Sequence, residues 1–206
     1  FIFFEDEILD CDLLIATGND DTARYFNSLY SGLPSLIRKN RNSIAVLNGS
    51  ESYEDYIKIA YDVYTYFGLG CRSVTKLYLP IGFDLELLRG GFYEMRHLVF
   101  SHDYYMDNYR YQKVFCRMNN IDFNDFDYLL FVESNAIASP ISVVYFDYYD
   151  NINTVVKSLL FDSDKIQCVT SLDDDVIDKI PFGNTQSPSL YDFPDGIDVV
   201  KFLTSH

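Results

Sequence analysis

The chain has 206 residues, 48% of them hydrophobic and 17% aromatic, enough for one large domain with a substantial core. Its 31 acidic residues outnumber its 16 lysines and arginines, and the net charge of −15 argues against nucleic acid and anionic membranes as partners. No apolar run reaches membrane-spanning length, and the opening Phe1-Ile2-Phe3-Phe4, followed at once by Glu5, Asp6 and Glu7, is too short for a signal peptide.

Taken in chain order, strands and helices alternate. Residues 12–17 read as a buried strand closed by Gly18. Asn19 can cap a helix that runs to about Tyr30, with Asp20 and Asp21 in its first turn. Short strands are expected at Leu36-Ile37-Arg38 and over 43–47. Ser52 to Asp55 reads as a capping box, with Asp in place of Glu. From there Tyr53, Tyr56, Ile57, Ala60, Val63, Tyr64 and Phe67 recur at helical spacing, which predicts a helix over 52–67. A strand at 76–79 stops at Pro80, and Asp84 can cap a helix beginning at Leu85. Residues 102–119 read as a tyrosine-rich helix, 128–132 and 143–148 as strands, 151–161 as a helix and 166–171 as a strand. A loop over 172–188 follows, with a last helix near 197–203. This alternation predicts an α/β layer fold whose mostly parallel sheet is flanked by helices.

Cys71 is the residue with the most chemistry to offer. It stands in Phe67-Gly68-Leu69-Gly70-Cys71-Arg72, between the long helix and the strand that ends at Pro80. Two glycines let the backbone turn there and leave room beside the thiol. A thiol so placed is a candidate nucleophile, because a thiolate forms thioesters and leaves from them readily. The competing reading is a small buried hydrophobe at a helix end. Cys11, Cys71, Cys116 and Cys168 show no metal-ligand spacing, so no metal is expected, and reduced thiols in a cytoplasm fit them best. Cys116 and Cys168 read as core residues. His97, His102 and His206 read as surface or packing residues, and Asp173-Asp174-Asp175 as a solvated loop. Tyr104, Tyr105, Tyr109 and Tyr111 could line an acyl channel or pack a helix.

The charge is uneven. No acid occurs between Asp21 and Glu51, whereas Arg24, Arg38, Lys39 and Arg41 all do. Arg38, Lys39 and Arg41 lie between two expected strands and are candidate phosphate contacts, or else pair with acids elsewhere in the fold.

Several segments together resemble the bacterial acyl-CoA reductases, the fatty-acid reductase relatives of the aldehyde dehydrogenase superfamily. They are Ala16-Thr17-Gly18-Asn19 with Thr22-Ala23-Arg24-Tyr25-Phe26, then Ile37 to Ser43, then Tyr66 to Arg72. The tail Pro181-Phe182-Gly183-Asn184-Thr185-Gln186-Ser187-Pro188, with Leu190 to Asp198 after it, resembles that family's C-terminal signature, except that Pro194 stands where the family has Ala. The likeness is specific over about residues 12–82 and 181–203.

The resemblance implies an aldehyde-dehydrogenase-like catalytic domain that reduces a long-chain acyl thioester to an aldehyde with NADPH. It implies Cys71 as the nucleophile and Thr17, Gly18 and Asn19 under the nicotinamide, and it makes NADPH and CoA the phosphate-bearing ligands for Arg38, Lys39 and Arg41. The substrate would be acyl-CoA or an acyl-protein thioester, with an acyl-transfer partner protein or a homo-oligomer compatible with the family. Hydrolytic relatives carry a water-activating glutamate before the strand at 43–47, and residues 22–50 hold no acid, so a thioester on Cys71 should survive for reduction or transfer. Residues 1–50 would be a remnant of the dinucleotide-binding domain and 51–206 the thiol-bearing domain. A chain that begins at Phe1 within that scheme is expected to be a partial enzyme. The alternative from another class is a non-catalytic acyl-transfer or docking module.

Overall fold

A computed structural model of the chain describes residues 11–205. The opening Phe1–Phe4 run and His206 lie outside the described residues. Two compact units are present, Arg41–Ser189 and a smaller one in which the segment up to Asn40 is joined by residues 190–206.

In the smaller unit, β1 (Leu14–Thr17) pairs in parallel with β2 (Ser35–Arg38), and α1 (Asp20–Leu29) connects them. Asn19 caps α1 as its sequence predicts, accepting the Thr22 N–H at 2.8 Å.

The larger unit is built on one six-stranded sheet. Its elements in chain order are β3 (Asn42–Val46), α2 (Tyr53–Tyr64), β4 (Val74–Pro80), α3 (Glu86–Met95), α4 (Asp103–Met118), β5 (Asn124–Asp125), β6 (Leu130–Glu133), β7 (Val143–Tyr149), α5 (Ile152–Phe161) and β8 (Ile166–Ser171). The strand order is β5-β6-β7-β4-β3-β8, and only the β5–β6 pairing is antiparallel. The short helix α6 (Val199–Thr204) belongs to the smaller unit.

Strands β3 and β4 lie inside the sheet with helices over them; β3 is apolar on both faces, whereas β4 sets Leu77 and Leu79 on one face and buries Lys76 within the sheet. Ile44, Ala45, Val46 and Leu47 are fully buried. On one face Ala45, Leu77 and Leu79 pack with Ile59, Ala60 and Tyr64 of α2 and with Leu88 and Phe92 of α3. On the other, Ile44 and Val46 pack with Val155 of α5. The capping box forms in full: Ser52 Oγ accepts the Asp55 N–H and the Asp55 carboxylate accepts the Ser52 N–H. No helix among the described residues is long and apolar enough to cross a membrane.

One expectation is corrected, and the two readings of the tyrosines on α4 are separated. The helix expected over 52–67 ends at Tyr64, because Tyr66 (φ 56°, ψ 27°), Phe67 (φ 60°, ψ 23°) and Gly68 (φ 73°) are all left-handed. The four tyrosines do not share a channel. Tyr105 and Tyr109 are buried in packing, while Tyr104 and Tyr111, on the opposite side of α4, are about 60% exposed (61% and 62%).

Candidate functional site

The chain reaches Cys71 through a left-handed turn. Each non-glycine residue held there costs roughly 1–2 kcal/mol, so Tyr66 and Phe67 need outside support. Phe67 has it: its ring lies 4.0 Å, centroid to centroid, from His102. His102 is itself the N-cap of α4, and its Nδ1 accepts the Tyr105 N–H at 3.3 Å. Next comes a tight turn in which the Ser73 N–H donates to the Gly70 carbonyl at 2.9 Å. Cys71 sits in that turn with its residue exposed, so it is not a buried hydrophobe.

Three anchors hold this turn. Ser43, at the start of β3, donates its hydroxyl to the Cys71 carbonyl at 2.9 Å. That hydroxyl also stands 2.9 Å from Cys168 Sγ. A carbonyl can only accept, so the Ser43 proton goes to Cys71 and the Cys168 thiol donates to Ser43. Burial pushes the Cys168 thiol up, which keeps it protonated for that role.

The second anchor is the strap at residues 183–186. Arg72 Nε donates to the Thr185 carbonyl, and Gln186 Nε2 donates to Ser73 Oγ at 3.3 Å. The third is Ser73 Oγ, which donates to the Thr65 carbonyl at 3.1 Å, just past the end of α2. The strap is fixed by Asp62 of α2, whose carboxylate accepts from Gly183 N (2.7 Å), Thr185 N (3.2 Å) and Thr185 Oγ (2.8 Å). Asp62 and Thr185 are both fully buried. Burial drives the Asp62 carboxyl above its ordinary range, and the bonds from Gly183 and Thr185 pull it partly back.

Among the described residues the main-chain N–H groups of Cys71 and Arg72 donate to no protein group. They are free to receive an oxyanion formed next to the thiol.

In the smaller unit, Thr17 is exposed at the end of β1, and the Gly18 N–H is spent on the Arg38 carbonyl at 3.1 Å. A Cβ on Gly18 would meet Thr22 Cγ2 at 2.6 Å, so its small size serves α1 packing. Asn19 Oδ1 is occupied by the Thr22 N–H and hydroxyl. The turn therefore offers a neutral polar edge, while Asp20 and Asp21 behind it disfavour phosphate. Of the three candidate cations, Arg38 lies 3.5 Å from Asp195 and Arg41 donates to the Ser163 carbonyl at 2.6 Å. Lys39 is exposed and has no ion-pair partner among the described residues.

Sequence reasoning singled out Cys71 and read the 181–188 segment as a signature. It missed Asp62, Ser43 and Thr185. Asp62 lies off the apolar stripe of α2 and is buried by the strap, so its spacing in the sequence carried no signal.

By sequence, the chain matches no protein-family model and no curated protein. Solved structures do resemble it. The NADP-dependent glyceraldehyde-3-phosphate dehydrogenase from Bacillus halodurans C-125, complexed with NADP, superposes with a TM-score of 0.58 at 11% identity, covering 80% of this chain and 40% of that one. An acetylating aldehyde dehydrogenase from Geobacillus thermoglucosidasius gives 0.53 at 13% identity, covering 84% and 47%. The Mycobacterium tuberculosis aldehyde dehydrogenase complexed with NAD+ gives 0.56 at 10% identity, covering 80% and 41%. The chain thus spans less than half the length of each. At these identities the likeness establishes the fold: a mostly parallel α/β sheet of the aldehyde dehydrogenase type.

Proposed function

We propose that the chain is the thiol-bearing part of an aldehyde-forming oxidoreductase that works on acyl thioesters, long-chain acyl-CoA foremost. The observation that carries this reading is an exposed Cys71 on a turn held at three points, in an aldehyde dehydrogenase fold. The Cys71 thiolate attacks the acyl carbonyl, a C–S bond forms, and the CoA thiol leaves with a proton from solvent. The free N–H groups of Cys71 and Arg72 hold the oxyanion of that step. NADPH, when bound, supplies the hydride that reduces the resulting thioester to the aldehyde and returns the thiol.

Residues 1–50 serve as a remnant of the dinucleotide-binding domain and 51–206 as the thiol-bearing domain. Thr17, Gly18 and Asn19 fit the uncharged amide end of the cofactor. Arg38, Lys39 and Arg41 are the cations offered to phosphate, with Lys39 the one not already engaged. The second reading is a non-catalytic acyl-transfer or docking module.

One experiment separates the two. The chain is treated with a long-chain acyl-CoA and weighed intact by mass spectrometry. One acyl adduct is expected, absent in Cys71→Ser and kept in the Cys11→Ser, Cys116→Ser and Cys168→Ser variants. An adduct that persists in Cys71→Ser overturns the assignment, and no adduct at all favours the docking module.

A further inference from the structure

We infer that Asp62 is a positioning residue for the Cys71 thiol, acting through the 183–186 strap. The inference rests on the thioester reading of Cys71 and extends it to a residue nine positions earlier, on a different element.

The strap is a brace with two ends. At one end a single side chain gathers three donors: the Gly183 N–H, the Thr185 N–H and the Thr185 hydroxyl. No lysine or arginine pairs with Asp62 among the described residues, so these donors and no cation answer its charge. An amide in its place would present an N–H₂ donor and lose an acceptor oxygen, leaving at least one buried donor unpaired. At the other end the same strap grips the two residues that follow the thiol. Thr185 gives its carbonyl to Arg72, and Gln186 gives its amide to Ser73.

The two ends are linked through Thr185. Its N–H and hydroxyl face Asp62 while its carbonyl faces Arg72, so one buried residue transmits the anchor to the turn. This matters because the turn is entered from strained backbone at Tyr66 and Phe67. A strained segment keeps one geometry only where its surroundings over-determine it. With the brace lost, the Cys71 N–H and thiol lose their mutual placement, and a thiol that still meets small reagents meets an acyl carbonyl at the wrong angle.

The test uses the full chain and the pair Thr185→Val and Thr185→Ser, with Asp62→Asn as a third variant. Valine removes the hydroxyl at near-constant shape, and serine restores it. Exchange of the Ser73 amide, which donates to the Gly70 carbonyl, read by mass spectrometry, is expected to quicken in Thr185→Val and Asp62→Asn and to return toward wild type in Thr185→Ser. Acylation of Cys71 by acyl-CoA is expected to fall on the order of ten- to a hundredfold in Thr185→Val and Asp62→Asn and to recover in Thr185→Ser. Alkylation of Cys71 by iodoacetamide should not fall with it. Equal losses of acylation and alkylation, or an acylation rate per folded molecule that Thr185→Val leaves unchanged, overturn the positioning role. Unchanged exchange overturns the brace by itself. A wild-type chain that takes no acyl group overturns the thioester reading and the positioning role with it, a result distinct from unchanged exchange.

Discussion

Gly183 shows how little tolerance the strap has at a single residue. Its φ is +84°, and a Cβ added there would lie 3.1 Å from Lys58 Cβ and Cγ on α2. Both the left-handed backbone and the contact tell against any side chain. Gly183→Ala is expected to lower stability by about 1–2 kcal/mol, the usual penalty for an L-residue in this region. Urea unfolding measures it. A midpoint equal to wild type would show that the strap shifts away from α2 without loss. The neighbouring Asp62 is exacting for another reason: every donor that meets its carboxylate comes from residues more than a hundred positions later.

At the level of elements, sequence pattern was informative where the cause is local. Asn19 and Ser52 each cap the helix that follows them, because a cap needs only a side-chain oxygen three residues from the N–H it accepts. Strands β3 and β8 were legible from short apolar runs with polar or charged residues on either side. The end of α2 was not, since the apolar spacing continues through Phe67 although the helix stops at Tyr64. Phe67 still faces the core, but from a left-handed turn, and periodicity alone does not separate the two. β5 has two residues and no pattern to read. The candidate site divides the same way: Cys71 stands out by its glycines, whereas its anchors Ser43 and Asp62 are defined by partners 28 and more than 120 residues away. The turn itself is open to test. Tyr66 is 65% exposed and left-handed, so Tyr66→Gly removes strain with little packing lost. A gain of about 1 kcal/mol in unfolding free energy is expected, the strain relieved less the entropy that glycine adds to the unfolded chain. A loss would mean that the Tyr66 ring contributes more than its backbone conformation costs.

Across the whole molecule, the response to alkali depends on a few buried groups. Lys76 lies at the centre of the sheet with no exposed surface, and its ammonium donates to the Ser134 carbonyl. Burial pushes its pKa down to about 8, against the opposing pull of Asp147 and Glu133. In the unfolded chain a lysine titrates near 10.4, so between about 8 and 10.4 the unfolded chain holds a proton that the folded one has released. Stability contributed by this group therefore rises with pH across that window. The buried tyrosines act with the opposite sign. Burial, with nearby acidic groups, raises Tyr109 and Tyr149 to about 12 and lifts Tyr64 and Tyr105 well above the ordinary phenol value. They stay protonated in the fold while the unfolded tyrosines ionise near pH 10, so their contribution is present below that value and is lost as the pH climbs. The Cys116 and Cys168 thiols, also raised by burial, share the tyrosine sign from the ordinary thiol range upward. The wild-type curve mixes these terms, and a difference isolates Lys76. The unfolding free energy of wild type minus that of Lys76→Met should grow more positive by up to about 3 kcal/mol between pH 8 and 10.4, the product of the pKa gap and 1.36 kcal/mol per unit. The tyrosines and cysteines are common to both chains and cancel. A difference that stays flat over that range would show that the folded protein keeps the Lys76 proton, with Asp147 and Glu133 outweighing burial.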